Sequence, residues 1–300
     1  MLPAFAVATL AAAQEENLAG ADYYRRAVEK EKENDYRGAL DGYTKAIELQ
    51  PAADFYLARG RLYQEQGSFT EAEADYTEAL ALDPNMAKAG YYRGAIKFFS
   101  ELYHEAIEEY TRCLAIDSLY CYAYNDRASA NRQLERYEEA LADYTAAINI
   151  DSTLDFLFSN RGSTYRLMKK YDEAILDYTE AIKRSPQSAM LYNNRGLAKL
   201  GKEDYEGALA DFLSAKRYNP SYFRTFNNIG NVYCKQKKYT EALVEYDKAI
   251  ELNDKFGQAY LNRGIVREMM RNDEGACADW QKAAELDVPS AKGYVAAQCK

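Results

Sequence analysis

Asparagine recurs at a fixed interval in the second half of the chain: Asn160, Asn194, Asn228 and Asn262 stand 34 residues apart. Asn125, Asn193 and Asn227 stand one unit position ahead of this column, and Asn231 follows Asn228 by three. A carboxamide donates from nitrogen and accepts at oxygen, so a row of them can hold the N–H and C=O groups of an extended peptide whatever its side chains. Each such bond contributes only about 0.5–1.5 kcal/mol net, so side-chain anchors are needed too. Tyr91, Tyr92, Phe98 and Tyr122, near Phe99 and Phe156, are aromatic anchors of the kind that dominate interfaces. Arg132, Arg166, Arg224 and Lys235 add positive charge suited to an acidic segment or a chain-terminal carboxylate.

Other chemistry is scarce. The only histidine, His104, has no nucleophile motif beside it, and there is no glycine-rich phosphate loop, so no enzymatic activity is expected. No metal site or cofactor is expected either. The five cysteines are odd in number with no CxxC, a pattern that predicts scattered small buried residues rather than a disulfide framework or a zinc site. A net charge of −9 opposes an RNA or DNA partner, because such binding rests on neutralising phosphates with clustered Lys and Arg. No apolar run reaches the roughly 18–20 residues of a spanning helix, so no integral membrane contact is expected. Residues 1–13 are uncharged and apolar. They read either as the remnant of a secretory signal, placing the chain in the periplasm or outside the cell, or as a segment docked on the body of a cytoplasmic protein.

The elements that position these residues come from self-similarity. Starting at Gly20, units begin at Ala53, Ala87, Cys121, Asp155, Ala189, Phe223 and Gly257, a first step of 33 residues and then steps of 34. Unit position 20 is Ala in all eight units, position 24 is aromatic in all eight (Tyr43 through Trp280), and position 8 is always Gly or Ala. Apolar residues at 4, 8, 11 and again at 17, 20, 24, 27 follow a helical period, with a break near 14–16. Each unit is therefore two amphipathic helices in an antiparallel hairpin, with small residues at 8 and 20 where they approach most closely. A single hairpin cannot bury both faces, so neighbours must stack. The reading is an all-α solenoid with an apolar N-terminal segment at 1–19, eight repeats over 20–290, and a C-terminal capping helix over 291–300.

These columns, and units such as LYNNRGLAKLGKEDYEGALADFLSAKRYNP, resemble the tetratricopeptide repeat family over about nine-tenths of the chain. The resemblance implies a right-handed superhelix of helix-turn-helix repeats. First helices line a concave groove through positions 2, 5, 6, 9, 12 and 13, where the asparagines, the basic residues and Tyr91, Phe98 and Tyr122 fall. It further implies a scaffold or adaptor for a protein or peptide partner, acting as a monomer or within a hetero-complex, with a structural subunit and, less in keeping with the charge, an RNA binder as alternatives. The asparagine row is similar to that in the superhelix of protein O-GlcNAc transferases. Position 5 is never Lys, so the carboxylate clamp of chaperone-binding members is absent.

One feature departs from the family pattern. Position 7, usually Leu, is Arg in seven units, and position 23 is acidic in seven. The hairpin register makes these columns neighbours and predicts ion pairs such as Arg161–Asp177 and Arg195–Asp211. Arg26 faces Gly42 and is expected to lack such a partner.

Overall fold

The computed structural model describes residues 19–299; the apolar stretch at 1–13 and the segment up to residue 18 lie outside the described residues, as does residue 300. Every described element is an α-helix or the turn after it. The chain forms two compact units, Met1–Ile150 and Asp151–Lys300. The first holds α1 (19–32), α2 (Tyr36–Leu49), α3 (Ala53–Glu65), α4 (Phe69–Leu82), α5 (Ala87–Phe99), α6 (Tyr103–Ile116), α7 (Cys121–Gln133) and α8 (Tyr137–Ile150). The second holds α9 (Asp155–Leu167), α10 (Tyr171–Arg184), α11 (Ala189–Gly201), α12 (Tyr205–Tyr218), α13 (Phe223–Lys235), α14 (Tyr239–Leu252), α15 (Gly257–Met269), α16 (Asp273–Glu285) and α17 (Pro289–Gln298). Within each unit every odd helix up to α15 packs antiparallel on the even one after it, and hairpins stack in sequence. This is the all-α solenoid of helix-turn-helix repeats.

The hairpin closes on two columns. All eight position-20 alanines have no solvent exposure, and the position-24 rings are at most 1% exposed. Each ring lies over the small residue at position 8: a Cβ on Gly196 would sit 2.6 Å from the Phe212 ring, and one on Gly230 equally close to Tyr246. Glycine there sets the helix spacing. The tyrosine hydroxyls emerge on the first-helix face and find polar partners, Glu31 for Tyr43, Gln64 for Tyr76, Ser163 for Tyr178 and Asn231 for Tyr246.

Every turn inside a hairpin uses one left-handed residue at unit position 15. It is Gly67 in the second repeat, but Asn34, Glu101, Glu135, Lys169, Glu203, Lys237 and Arg271 elsewhere, with φ of 59–65°. The next backbone N–H then donates to the position-11 carbonyl, as Arg136 does to Asn131 at 2.9 Å, which satisfies groups left open at the helix end.

The last hairpin is covered by α17. Tyr294 stacks on Trp280 with ring centroids 4.9 Å apart, and Ala291, Val288 and Val295 join the same apolar cluster. A disulfide joins Cys277 on α16 to Cys299 just past α17, with Cα atoms 5.5 Å apart. This corrects the expectation that no cysteine is bridged. The two lie 22 residues apart in sequence, and only the reversal between α16 and α17 brings them together. Cys113, Cys121 and Cys234 take part in no disulfide, and the first two are buried.

Candidate functional site

The site is built on a lattice of ion pairs that fixes the first helices. Six arginines at position 7 reach the acid at position 23 of their own repeat: Arg59–Asp75, Arg127–Asp143, Arg161–Asp177 and Arg195–Asp211 at 2.7 Å, Arg93–Glu109 at 2.8 Å and Arg263–Asp279 at 2.6 Å. Most are two-pronged, Nε and Nη2 each donating to one carboxylate oxygen, as between Arg59 and Asp75. The remaining nitrogen crosses to position 25 of the preceding repeat: Arg59 to Thr44, Arg127 to Thr111, Arg195 to Thr179 and Arg263 to Asp247. The acids hold the guanidinium of Arg59, Arg127 and Arg161 above its ordinary pKa, against the opposing effect of burial. The threonine contacts were not anticipated from pairing within one hairpin. Their signal is visible in sequence: where position 7 is Ile229, the preceding position 25 is Leu213 instead of Thr. Glu245, which would face that arginine, is held by Lys216 at 3.0 Å.

On this frame the carboxamides bond to one another across repeats. Asn228 donates to Asn193 at 2.9 Å; Asn262 donates to Asn227 at 2.9 Å and to Asn231 at 3.0 Å. Gln258 donates to Asn262 at 2.9 Å, and the Tyr246 hydroxyl to Asn231 at 2.8 Å. The repeating link joins position 5 of one first helix to position 6 of the next. In the first unit the same link is Tyr91 to Asp126, at 2.8 Å. Burial pushes the Asp126 carboxyl above its ordinary range, countered by bonds from Tyr91 and Asn125. Asp126 escaped the asparagine pattern that singled out its neighbours.

The network forms the wall of a cleft of about 730 Å³ on α11, α13 and α15. It contains Asn193, Asn194, Asn227, Asn228, Asn231 and Asn262, with Gln258, Arg224, Tyr222, Phe256 and Leu197 completing the lining. Arg224 is exposed, its guanidinium 5.3 Å from the Phe223 ring centre and 5.5 Å from that of Phe256. Asn194 makes no side-chain hydrogen bond within the described residues, whereas Asn193, Asn227 and Asn228 are buried in the network. Tyr222 and Phe256 were not anticipated, since they sit one residue ahead of their repeats, outside the groove positions.

Other sequence candidates lie elsewhere. Asn160 and Arg166 are half-buried on α9 and do not line this cleft, nor does Lys235, exposed at the end of α13. The Arg166 Nε is buried with no hydrogen-bond partner. In the first unit Asn125 is buried on α7 and donates to Asp126. Arg132 is half-buried on the same helix. Tyr91 packs against Tyr92, Tyr110 and Tyr120 with centroids 5.0–5.9 Å apart. Tyr92 stacks on Tyr76, and Phe98 lies edge-on to Tyr103. Tyr122, 46% exposed, and Phe99, 69% exposed, offer the open aromatic surface of this end.

The sequence matches the tetratricopeptide repeat family over residues 53–86 and 156–188, a further tetratricopeptide repeat family over 122–154, and the TPR repeat over 230–270. The chain belongs to the tetratricopeptide repeat family. Among solved structures, a tetratricopeptide repeat protein from Parabacteroides merdae matches with a TM-score of 0.68 and 17% identity, over 83% of this chain and 99% of that one. A chain of the APC/C hetero-tetramer Cut9–Hcn1 matches with a TM-score of 0.65 and 15% identity, over 92% of this chain and 55% of that one. Both show the fold alone. Protein SGT1 homolog of Oryza sativa subsp. japonica is 38% identical over 78 residues, 26% of this chain, so the match spans about a fifth (21%) of the rice protein. Among the described residues no tetratricopeptide helix is long and apolar enough to cross a membrane. As a tetratricopeptide repeat protein, the chain is in general terms a protein-interaction scaffold.

Proposed function

We propose that this scaffold binds an extended segment of a partner protein along α11, α13 and α15, with an acidic residue of that segment at Arg224. The supporting observation is the carboxamide cleft, which has seven Asn and Gln side chains, one arginine and no carboxylate in its lining. Inter-repeat bonds hold most of these amides in place before a ligand arrives, which limits the ordering cost of binding. Asn194 keeps its whole hydrogen-bonding capacity for the peptide backbone. The reading gives no catalytic role to any residue. In the first unit, Asn125, Tyr91, Tyr92, Phe98, Tyr122 and Arg132 are proposed as a second contact area, and Asn160, Arg166 and Lys235 as further contacts in the second unit. The Cys277–Cys299 bridge favours an oxidising compartment over a reducing one.

Peptide display against the full chain tests this. Enriched peptides are expected to bind the wild type and to weaken about tenfold, ~1.4 kcal/mol, on Asn194→Ala. Arg224→Gln is expected to weaken the acidic ones selectively. Peptides whose affinity neither substitution changes would show that binding lies elsewhere.

A further inference from the structure

The arginine lattice has one member without its acid. Six position-7 arginines grip a carboxylate sixteen residues on; for Arg26 that place is Gly42. A Cβ on Gly42 would lie 2.8 Å from the Ala27 Cβ, so α1 and α2 approach closely at this point. The arginine is thus kept where the acid is absent. Beside it lies a pocket of about 430 Å³ into which Lys30 and Lys45 also face, with Tyr23 on its wall. Gly38, also in the lining, is crowded by the Asp35 carboxylate that caps α2 and by the Lys30 ammonium, the latter 2.7 Å from where its Cβ would be. Among the described residues, the acids near the pocket are Asp41 in its lining, Asp35 at 3.8 Å from Lys30, and Glu48, which holds Lys45 at 2.8 Å, while Asp22, four residues before Arg26 on α1, pairs with Arg25. None of them reaches Arg26, which is exposed and has no hydrogen-bond or ion-pair partner among the described residues.

We propose that this pocket is a binding site for a carboxylate supplied by a partner protein, which takes the place the repeat's own acid occupies elsewhere. The internal repeats define the expected geometry: two parallel bonds from Nε and Nη2, as between Arg195 and Asp211 at 2.9 and 2.7 Å. A fork of this kind selects a planar carboxylate over a neutral amide. Lys30 and Lys45 add charge without competing for that geometry. The carboxylate comes either from an Asp or Glu side chain or from a chain terminus, and the two share this chemistry. The site stands apart from the asparagine cleft, on a different unit.

The test is an NMR titration of the isotope-labelled full-length chain, following the Arg26 Nε–Hε resonance, identified by its loss in Arg26→Gln. Three N-acetylated pentapeptides are compared: a central glutamate with an amidated end, a central glutamine with a free end, and a central glutamine with an amidated end, so that the first two each differ from the third at one group. At about 10 mM, ten times the ~1 mM dissociation constant expected of one anchored group, the first or second peptide shifts the resonance and the third does not. Which of the two acts names the source. Arg26→Gln is expected to weaken binding of the active peptide about tenfold, followed on neighbouring backbone amides, with an unchanged thermal melt; Arg224→Gln leaves it within about twofold. Equal shifts from all three peptides, no shift from any, or unchanged affinity in Arg26→Gln would overturn the proposal.

Discussion

Replacing Arg59 by Met removes the clamp of the second repeat while keeping an apolar stem of similar length. Asp75 is 4% exposed, and among the described residues its charged partner is Arg59. Removing one partner of a buried pair costs about 3–5 kcal/mol, mostly from the carboxylate left in a poorly solvated site. Arg195→Met is the internal control. Asp211 is equally buried, but the Lys199 ammonium stays 2.8 Å from it. A charge-assisted hydrogen bond contributes about 1.5–3 kcal/mol, so the control is expected to cost that much less. Replacing both Arg59 and Asp75 by apolar residues of similar size is expected to recover most of the loss, because no charge is then left unpaired. Native-state hydrogen exchange of α3–α4 and of α11–α12 reads these local opening energies separately, which suits a repeat array that need not unfold in one step. Equal costs at Arg59 and Arg195, or a cost at Arg59 below about 1 kcal/mol, would show that the buried carboxylate does not depend on its arginine.

Three further outcomes are expected. Glu135→Gly, at a left-handed turn residue with φ 59°, stabilises by about 1 kcal/mol in urea denaturation, since only a side chain is strained there, whereas Glu135→Ala gives no such gain. Asp126→Asn stabilises the fold near neutral pH. The folded carboxyl titrates above the unfolded one, so its ionised form weakens the fold above the folded value and stability returns as pH falls through it; the gain over wild type shrinks on acidification, which urea midpoints across pH will show. Thiol titration of the unreduced, denatured chain counts three free cysteines and five after reduction, and Cys299→Ser loosens exchange protection of α17 by about 3 kcal/mol.

Much of this was legible in the sequence because it repeats. A column with eight alanines or eight aromatic residues defines the hairpin register, and Arg opposite an acid at sixteen residues' remove follows from that register alone. What the sequence hid crosses from one repeat to the next. Thr44 and Thr111 read as ordinary surface helix residues until Arg59 and Arg127 are seen to reach them. Asn193 and Asn228 look like two independent groove contacts, yet one satisfies the other, so a peptide meets Asn194 more readily than either. Asp126 occupies the asparagine column as a carboxylate. The Cys277–Cys299 bridge depends on the reversal after α16, which no spacing rule marks.

We propose above that the carboxamide face of α11, α13 and α15 holds a partner's backbone. A crystal structure of the chain with a display-selected peptide tests it most directly. An extended peptide is expected in the 730 Å³ cleft, one of its carbonyls accepting from Asn194 and an acidic side chain against Arg224. A peptide seated on the second helices, or one lying in the cleft without a backbone bond to Asn194, would contradict it.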